Sequence, residues 1–295
     1  MSNNKTGFIK FFIMCFSLVF ASALASCSRP SLKYFMQDHQ DEILGGKSVQ
    51  ASSAFAKKVL YLAIGVQWTK TKYGTSMKYE KICTASAISK RVLLTAAHCV
   101  VGWQPAEINI AINSNPLKSE KLIITDWIKA EKIEIHQDYS TEPNIVNDVA
   151  LIKLSSDLMP EQISKLVRPE QITDNLQMIL VGYGRTHAEE SNSENQNSSL
   201  NYVIKNVPQF NAQDQKITIN QADESGICSG DSGSPGFIYD SVNKEFAILG
   251  VASYVYQTKN IKGQANVAEP CHGYGVYMNV LSLTKWITET AKQLQ

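Results

Sequence analysis

The chain has 295 residues, of which 44% are hydrophobic and 19% charged, and its 28 basic and 27 acidic residues give a net charge of +1. This apolar content and charge balance exclude an intrinsically disordered chain, and also a nucleic-acid binder that works through an excess of basic residues. The length allows one large domain or two modest ones, each able to bury its own core.

The first 26 residues have the features of a secretory signal peptide. Lys5 and Lys10 precede an apolar run, Phe11–Leu24, which is too short to span a bilayer comfortably and ends in small residues. The sequence Leu-Ala-Ser-Cys at 24–27 resembles the lipobox of bacterial lipoproteins, in which the cysteine carries lipid and becomes the mature N-terminus. Cys27 is therefore the predicted lipidation site, with ordinary cleavage after an Ala-x-Ala sequence as the alternative.

This resemblance implies a bacterial cell-envelope protein. Ser28 follows Cys27, where an aspartate often signals retention at the inner membrane, so the outer membrane is favoured. Four cysteines remain after the signal and the lipidation site are removed, namely Cys83, Cys99, Cys228 and Cys271. An even number in an oxidising compartment predicts two disulfides, and four buried free thiols are the alternative.

The rest of the chain is rich in short β-strand patterns. Most are bounded by Gly, Pro, Asn, Asp or Ser, and so many short strands favour barrels or sandwiches. The predicted strands are Val59–Trp68, Leu122–Ile128, Lys132–His136, Val149–Leu154, Met178–Val181, Tyr202–Val207, Ile217–Ile219, Gly236–Tyr239, Phe246–Tyr256 and Gly275–Val280. The polar segment 188–199 reads as a surface loop. Apolar residues at helical spacing predict one C-terminal helix over Ser282–Gln293.

Three polar residues form a candidate catalytic set. Ser232 lies in Gly-Asp-Ser-Gly-Ser-Pro at 230–235, and a serine hydroxyl needs a base and an oxyanion site to act as a nucleophile. His98, in Thr-Ala-Ala-His-Cys, is the candidate base, and Asp148, at the start of an apolar strand, is the candidate partner that orients it. Taken singly, each motif also has a plain structural interpretation: a tight turn for the serine loop and a solvated strand start for the aspartate.

Together, in the order His98, Asp148, Ser232, the three motifs resemble the chymotrypsin/trypsin-like serine protease family. The segments Asn-Asp-Val-Ala-Leu-Ile-Lys-Leu at 147–154 and Val-Gly-Tyr-Gly-Arg-Thr at 181–186 add to the likeness, which covers nearly everything after Ile43. It implies an all-β fold of two antiparallel six-stranded β-barrels with a C-terminal α-helix. The barrels are expected at about 43–165 and 166–295.

The resemblance also implies the remaining site residues. The backbone N–H groups of Gly230 and Ser232 would form the oxyanion hole, and the disulfides would join Cys83 to Cys99 and Cys228 to Cys271. Ile43-Leu44-Gly45-Gly46 resembles the start of the mature enzyme, where cleavage frees the Ile43 amine to pair with Asp231. Residues 27–42 would then be a lipid-anchored pro-segment. The alternative is that Gly45-Gly46 is a turn and the chain stays intact. Ser234 departs from the glycine that the family usually has there.

The resemblance to the protease family implies a specificity pocket formed by Gly226, Ile227, Ser253, Val255 and Gly275. With Gly226 at its floor, the pocket has no charged group there to compensate for the desolvation free energy of a Lys or Arg side chain. Val255 stands where the family has a glycine, and its side chain would narrow the pocket. The expected preference is elastase-like, for small or medium aliphatic residues before the scissile bond. An alternative is that Val255 belongs to an inserted loop in the long stretch before Cys271.

The sequence therefore predicts an exported serine endopeptidase, made as a zymogen and released from the membrane on activation. Its partners would be protein or peptide substrates and an activating protease, with no nucleic acid, no metal and no cofactor, and it would act as a monomer. Two alternatives remain: a non-catalytic lipoprotein that uses the fold as a binding module or adhesin, and an esterase with the same triad.

Overall fold

The computed structural model describes residues 46–49, 53–54, 56–72, 74–112, 127–185, 199–257 and 270–295. These residues form strands β1 Lys47–Ser48, β2 Val59–Ile64, β3 Gln67–Thr71, β4 Gly74–Lys78, β5 Lys81–Ala87, β6 Val92–Thr95, β7 Ile108–Ala111, β8 Trp127–Ile135, β9 Ala150–Leu154, β10 Lys165–Leu166, β11 Gln177–Gly182, β12 Asn201–Asn206, β13 Lys216–Asn220, β14 Pro235–Asp240, β15 Glu245–Tyr256 and β16 Tyr274–Asn279. Two α-helices are described, α1 Ala97–Val100 and α2 Val280–Leu294.

The first half of the chain folds into a closed six-stranded barrel. Its order is β2-β5-β6-β9-β8-β7, and every pair is antiparallel. The strands β2, β6 and β7 are buried along their whole length, because one face points into the barrel and the other is covered by neighbouring segments. This accounts for their nearly unbroken apolar sequences.

The second half forms an eight-stranded, barrel-like sheet. Six longer strands, β11 to β16, run in the order β12-β11-β14-β15-β16-β13. Two strands of two residues each complete it, since β1 pairs with β12 and β10 pairs with β15. The predicted chymotrypsin-like all-β fold is confirmed, and β1 and β10 are the additions to the expected six strands. Residues 47–48 thus join the second sheet although they precede the first barrel in the chain.

The longest predicted strand in the first half, Val59–Trp68, is broken in the structure. Gly65 adopts a φ of +72°, which favours glycine, and it separates β2 from the β3–β4 hairpin. The pattern also missed β5 to β7. In β5, the sequence Lys-Ile-Cys-Thr-Ala-Ser-Ala is polar or small at most positions, yet all but its first residue are buried. Burial here follows tertiary packing rather than local hydrophobicity.

The predicted C-terminal helix is confirmed and begins two residues earlier, at Val280. The Asn279 side chain accepts a hydrogen bond from the Leu281 N–H and so caps the first turn. An apolar stripe is buried, and the Trp286 ring lies 4.7 Å from the ring of His136, which follows β8. The helix therefore links the end of the second sheet to the first barrel.

Several predicted features lie outside the described residues. They include the signal segment, the pro-segment with Cys27, and Ile43 at the predicted start of the mature enzyme, as well as most of the polar stretch 188–199 and positions 258–269. Residues 122–126 of one predicted strand are also outside, and β8 begins directly after them. In the part of the chain that the structure covers, no helix has the length and apolar character needed to cross a membrane.

Candidate active site

The paired strands β6 and β9 bring His98 and Asp148 together. Thr95 at the end of β6 lies opposite Ala150 at the start of β9, His98 follows in α1, and Asp148 comes just before β9. Asp148 Oδ2 lies 2.7 Å from His98 Nδ1, and Oδ1 accepts the His98 backbone N–H at 2.8 Å. The carboxylate is fully buried, whereas the His98 side chain is 33% exposed. One ring nitrogen is thus engaged with the aspartate.

Ser253 makes a third contact to the Asp148 carboxylate. Its hydroxyl donates a short hydrogen bond to Oδ2 from β15, across the boundary between the two halves of the molecule. The sequence placed Ser253 in the specificity pocket but gave no sign of this contact, which spans 105 positions in the chain. With these three contacts, both oxygens of the buried carboxylate are hydrogen-bonded.

The loop that carries Ser232 is anchored to the first barrel by Thr84. The Thr84 N–H donates to the Ser232 carbonyl at 2.8 Å, and the Thr84 hydroxyl donates to the Gly230 carbonyl at 3.1 Å. The Ser232 carbonyl also lies 3.7 Å from Sγ of Cys99, the residue after His98. These contacts hold Ser232 beside the His98 helix. Thr84 carried no motif, so the sequence could not identify it.

The two predicted oxyanion donors lie in this loop. Among the described residues, neither the Gly230 N–H nor the Ser232 N–H donates to a protein acceptor. A carbonyl oxygen that gains negative charge near Ser232 could therefore receive both.

Asp231, the residue before Ser232, is fully buried. Its carboxylate accepts the Gly184 N–H at 2.7 Å and the Cys228 N–H at 2.9 Å. Cβ atoms at Gly182 or Gly184 would lie 2.2 Å from its oxygens, so the carboxylate sits tightly on these two glycines. Burial raises the pKa of Asp231 to about 7 despite the two backbone donors. No basic side chain among the described residues pairs with it.

Both predicted disulfides are formed. Cys83 in β5 is bonded to Cys99 in α1, which joins the barrel wall to the His98 helix. Cys228 is bonded to Cys271, which joins the Ser232 loop to the segment before β16. Cys83, His98 and Cys99 also form a cluster of the kind that can hold a metal ion. Because its two sulfur atoms are bonded to each other, the cluster offers no thiolate ligand.

A small cavity opens beside Ser232. It has a volume of about 130 Å³. Its lining includes three of the predicted pocket residues, Ile227, Ser253 and Val255. Val255 lies in β15 opposite Gly275 of β16, so it belongs to the strand and not to an inserted loop. The full lining is Ile227, Cys228, Ser229, Ser232, Ala252, Ser253, Tyr254 and Val255.

The other two predicted pocket residues do not line this cavity. Gly226 and Gly275 lie against the side chain of Gln221, which is fully buried. The sequence gave no reason to place a glutamine there, because a polar residue after a strand is usually exposed. The expected open floor and wall are therefore covered by another residue.

Comparison with known proteins agrees with this geometry. The trypsin family model matches residues 64–287. Chymotrypsin-2 of Vespa crabro is 29% identical over 174 residues, which cover 56% of this chain and 77% of the relative. Trypsin of Phaedon cochleariae is 29% identical over 229 residues, covering 70% and 78%. Since the family model covers most of the chain, the protein belongs to the trypsin family of chymotrypsin-like serine proteases.

Proposed function

We propose that the protein is a serine endopeptidase in which Ser232, His98 and Asp148 form the catalytic triad. The observation that carries the proposal is the His98–Asp148 pair, reinforced by Ser253 and placed beside the loop of Ser232. Because Nδ1 of His98 faces the carboxylate, Nε2 is the nitrogen left to take the Ser232 proton. Ser232 Oγ then attacks the scissile carbonyl, and the oxyanion receives the N–H groups of Gly230 and Ser232.

The reaction proceeds in two steps. His98 returns its proton to the leaving amine as the peptide bond breaks, which leaves an acyl group on Ser232. Water then attacks this acyl group while His98 takes a proton from the water. The bond between the acyl carbon and Ser232 Oγ breaks, His98 returns the proton to Oγ, and the carboxylic acid product leaves. Asp148 keeps the imidazole oriented and stabilises its cation without taking the proton.

A labelling experiment separates the three functional classes. A fluorophosphonate probe should label Ser232 of the activated protein, as would be expected of both a peptidase and an esterase. Matched peptide amides and esters then separate these two, and substantial amide turnover is the expected result. Absence of both labelling and turnover would indicate a binding module.

The cavity supports a preference for aliphatic side chains before the scissile bond. None of its lining residues is charged, and Ile227 and Val255 contribute apolar surface. We predict efficient cleavage after Ala, Val or Leu and poor cleavage after Lys or Arg, since nothing in the lining repays the desolvation of a cation. A peptide library analysed by mass spectrometry measures this, and a profile dominated by basic residues would contradict the interpretation.

The buried carboxylate of Asp231 supports activation by cleavage before Ile43. A buried anion without a cationic partner is costly, and a freed Ile43 amine would supply one. The pairing would lock the loop that presents Gly230 and Ser232. N-terminal sequencing of the active protein is the test, and an active form that begins elsewhere would refute this route.

The uncut chain should lose stability as the pH rises from about 4 to 7. Asp231 has a folded-state pKa of about 7 against 3.8 for the free group, so the folded chain keeps a proton that the unfolded chain releases. The free energy of unfolding should fall by a few kcal/mol across this window. Urea titrations at several pH values measure it, with the Asp231→Asn variant as the control that lacks this contribution. Equal pH slopes in the two proteins would contradict it.

Two disulfides support export to an oxidising compartment, and a lipid on Cys27 would anchor the precursor. Cleavage after Glu42 would then release the enzyme and activate it in one event, because the pro-segment has no further cysteine. The cavity offers no cation to receive a glutamate, so another protease is expected to make the cut. If the Ser232→Ala precursor stays uncut at the membrane while the active protein is processed, maturation is autocatalytic instead.

A further inference from the structure

Gln221 occupies the space behind the cavity beside Ser232. It follows β13 directly and is fully buried. Its side-chain amide is held by three hydrogen bonds. Nε2 donates to the carbonyl oxygens of Ile227, at 2.9 Å, and Cys271, at 2.6 Å, and Oε1 accepts the Ile227 N–H at 2.9 Å.

The same amide fills the gap between the two glycines of the expected pocket. A Cβ atom built on Gly226 would lie 2.2 Å from Cδ of Gln221, and one built on Gly275 would lie 2.1 Å from its Oε1. The Cβ atom built on Gly275 would also lie 2.8 Å from Cγ1 of Ile227. Volume that two glycines would leave open therefore contains the glutamine and the isoleucine.

We propose that Gln221 closes the back of the specificity pocket and restricts the enzyme to small side chains before the scissile bond. The inference rests on the proposed endopeptidase function and narrows its substrate class. Gln221 acts through the volume that its amide fills behind Ile227, and its hydrogen bonds to the N–H and the carbonyl of Ile227 fix the amide in that place.

Displacing the glutamine would be costly. A larger substrate side chain would have to push the amide aside and leave the backbone groups of Ile227 and Cys271 without partners in a buried site. The cavity of about 130 Å³ is also well below the few hundred Å³ typical of sites that hold larger groups. Both observations favour alanine over leucine, and leucine over phenylalanine.

The test compares two substitutions of Gln221. Gln221→Ala removes the plug, whereas Gln221→Met keeps most of its volume without the hydrogen bonds and serves as the matched control. Peptide amides that differ only in Ala, Leu or Phe before the scissile bond are assayed with each protein. Gln221→Ala should raise the ratio of kcat/KM for Phe over Ala by about tenfold or more, and Gln221→Met should leave it within about threefold. If Gln221 had a purely structural role, its replacement would lower kcat/KM for all three substrates by a similar factor.

Several results would overturn the inference. One is an unchanged Phe/Ala ratio in a folded Gln221→Ala enzyme, and another is an equal rise in Gln221→Met. If thermal unfolding measurements show that Gln221→Ala is not folded, the same test is made with Gln221→Asn, whose side chain is one methylene shorter than that of glutamine. A wild-type enzyme that labels with fluorophosphonate but prefers Phe to Ala refutes the inference and leaves the proposed function standing. A wild-type protein that neither labels nor cleaves refutes both.

Discussion

Replacing Ser232 with alanine should abolish peptide hydrolysis while leaving the fold intact. Within the described ranges, the loop is held through the Ser232 carbonyl and not through its hydroxyl, so removing the hydroxyl keeps the contact to Thr84. Triad residues act as a unit, and the expected loss in kcat is on the order of 10⁴-fold or more. Steady-state assays of the activated enzyme measure it, with the melting temperature as the check on folding.

An exposed serine provides the control for this experiment. Ser156 lies in the turn after β9 and is exposed, and Ser156→Ala should retain wild-type turnover. Near-wild-type hydrolysis by Ser232→Ala, in protein freed of contaminating peptidases, would refute the mechanism.

Asp148→Asn should lower kcat by a similar factor, roughly 10⁴-fold, because it changes the tautomer of His98. Asp148 accepts hydrogen bonds from the His98 backbone, the His98 ring and Ser253, and all three need an acceptor. An amide offers one oxygen and one NH₂ group. If its NH₂ group faces the ring, Nδ1 must become the acceptor, and the proton then sits on Nε2. That tautomer cannot take a proton from Ser232.

An aspartate outside the site separates this effect from a general change in charge. Asp157 is exposed and forms only a long ion pair with Arg91 at 3.9 Å, so Asp157→Asn should have little effect. A loss of less than tenfold in Asp148→Asn would show that the carboxylate is not required to orient the base.

Local motifs identified the residues on which the proposed mechanism rests, because each lies in a short segment with a recognisable pattern. His98 among small residues and Ser232 among glycines are examples, and the C-terminal helix was predicted from its spacing. Contacts between distant segments left no such pattern. Thr84 donates a hydrogen bond to the Gly230 carbonyl, which is 146 positions away in the chain. Gln221 is buried although it is polar, because Ile227 and Cys271 supply hydrogen-bond partners for its side chain.

Two of the five predicted pocket residues, Gly226 and Gly275, do not line the cavity beside Ser232. Glycines at 226 and 275 suggested open volume, but a missing side chain creates space only where no other residue fills it. Gln221 does so from outside both segments.

The short strand β1 would affect the rate at which an N-terminus freed by the proposed cleavage before Ile43 reaches Asp231. Ser48 lies opposite Asn201, Asn201 lies opposite Gly182, and Gly182 contacts the Asp231 carboxylate. Two strand spacings put Ser48 about 10 Å from Gly182, whereas the five residues back to Ile43 can extend about 17 Å. Strand β1 thus anchors a segment whose extended length exceeds the distance to the carboxylate. If the chain is cut before Ile43 as proposed, the new amine would have an effective concentration on the order of millimolar at the carboxylate, and its insertion would be an intramolecular step.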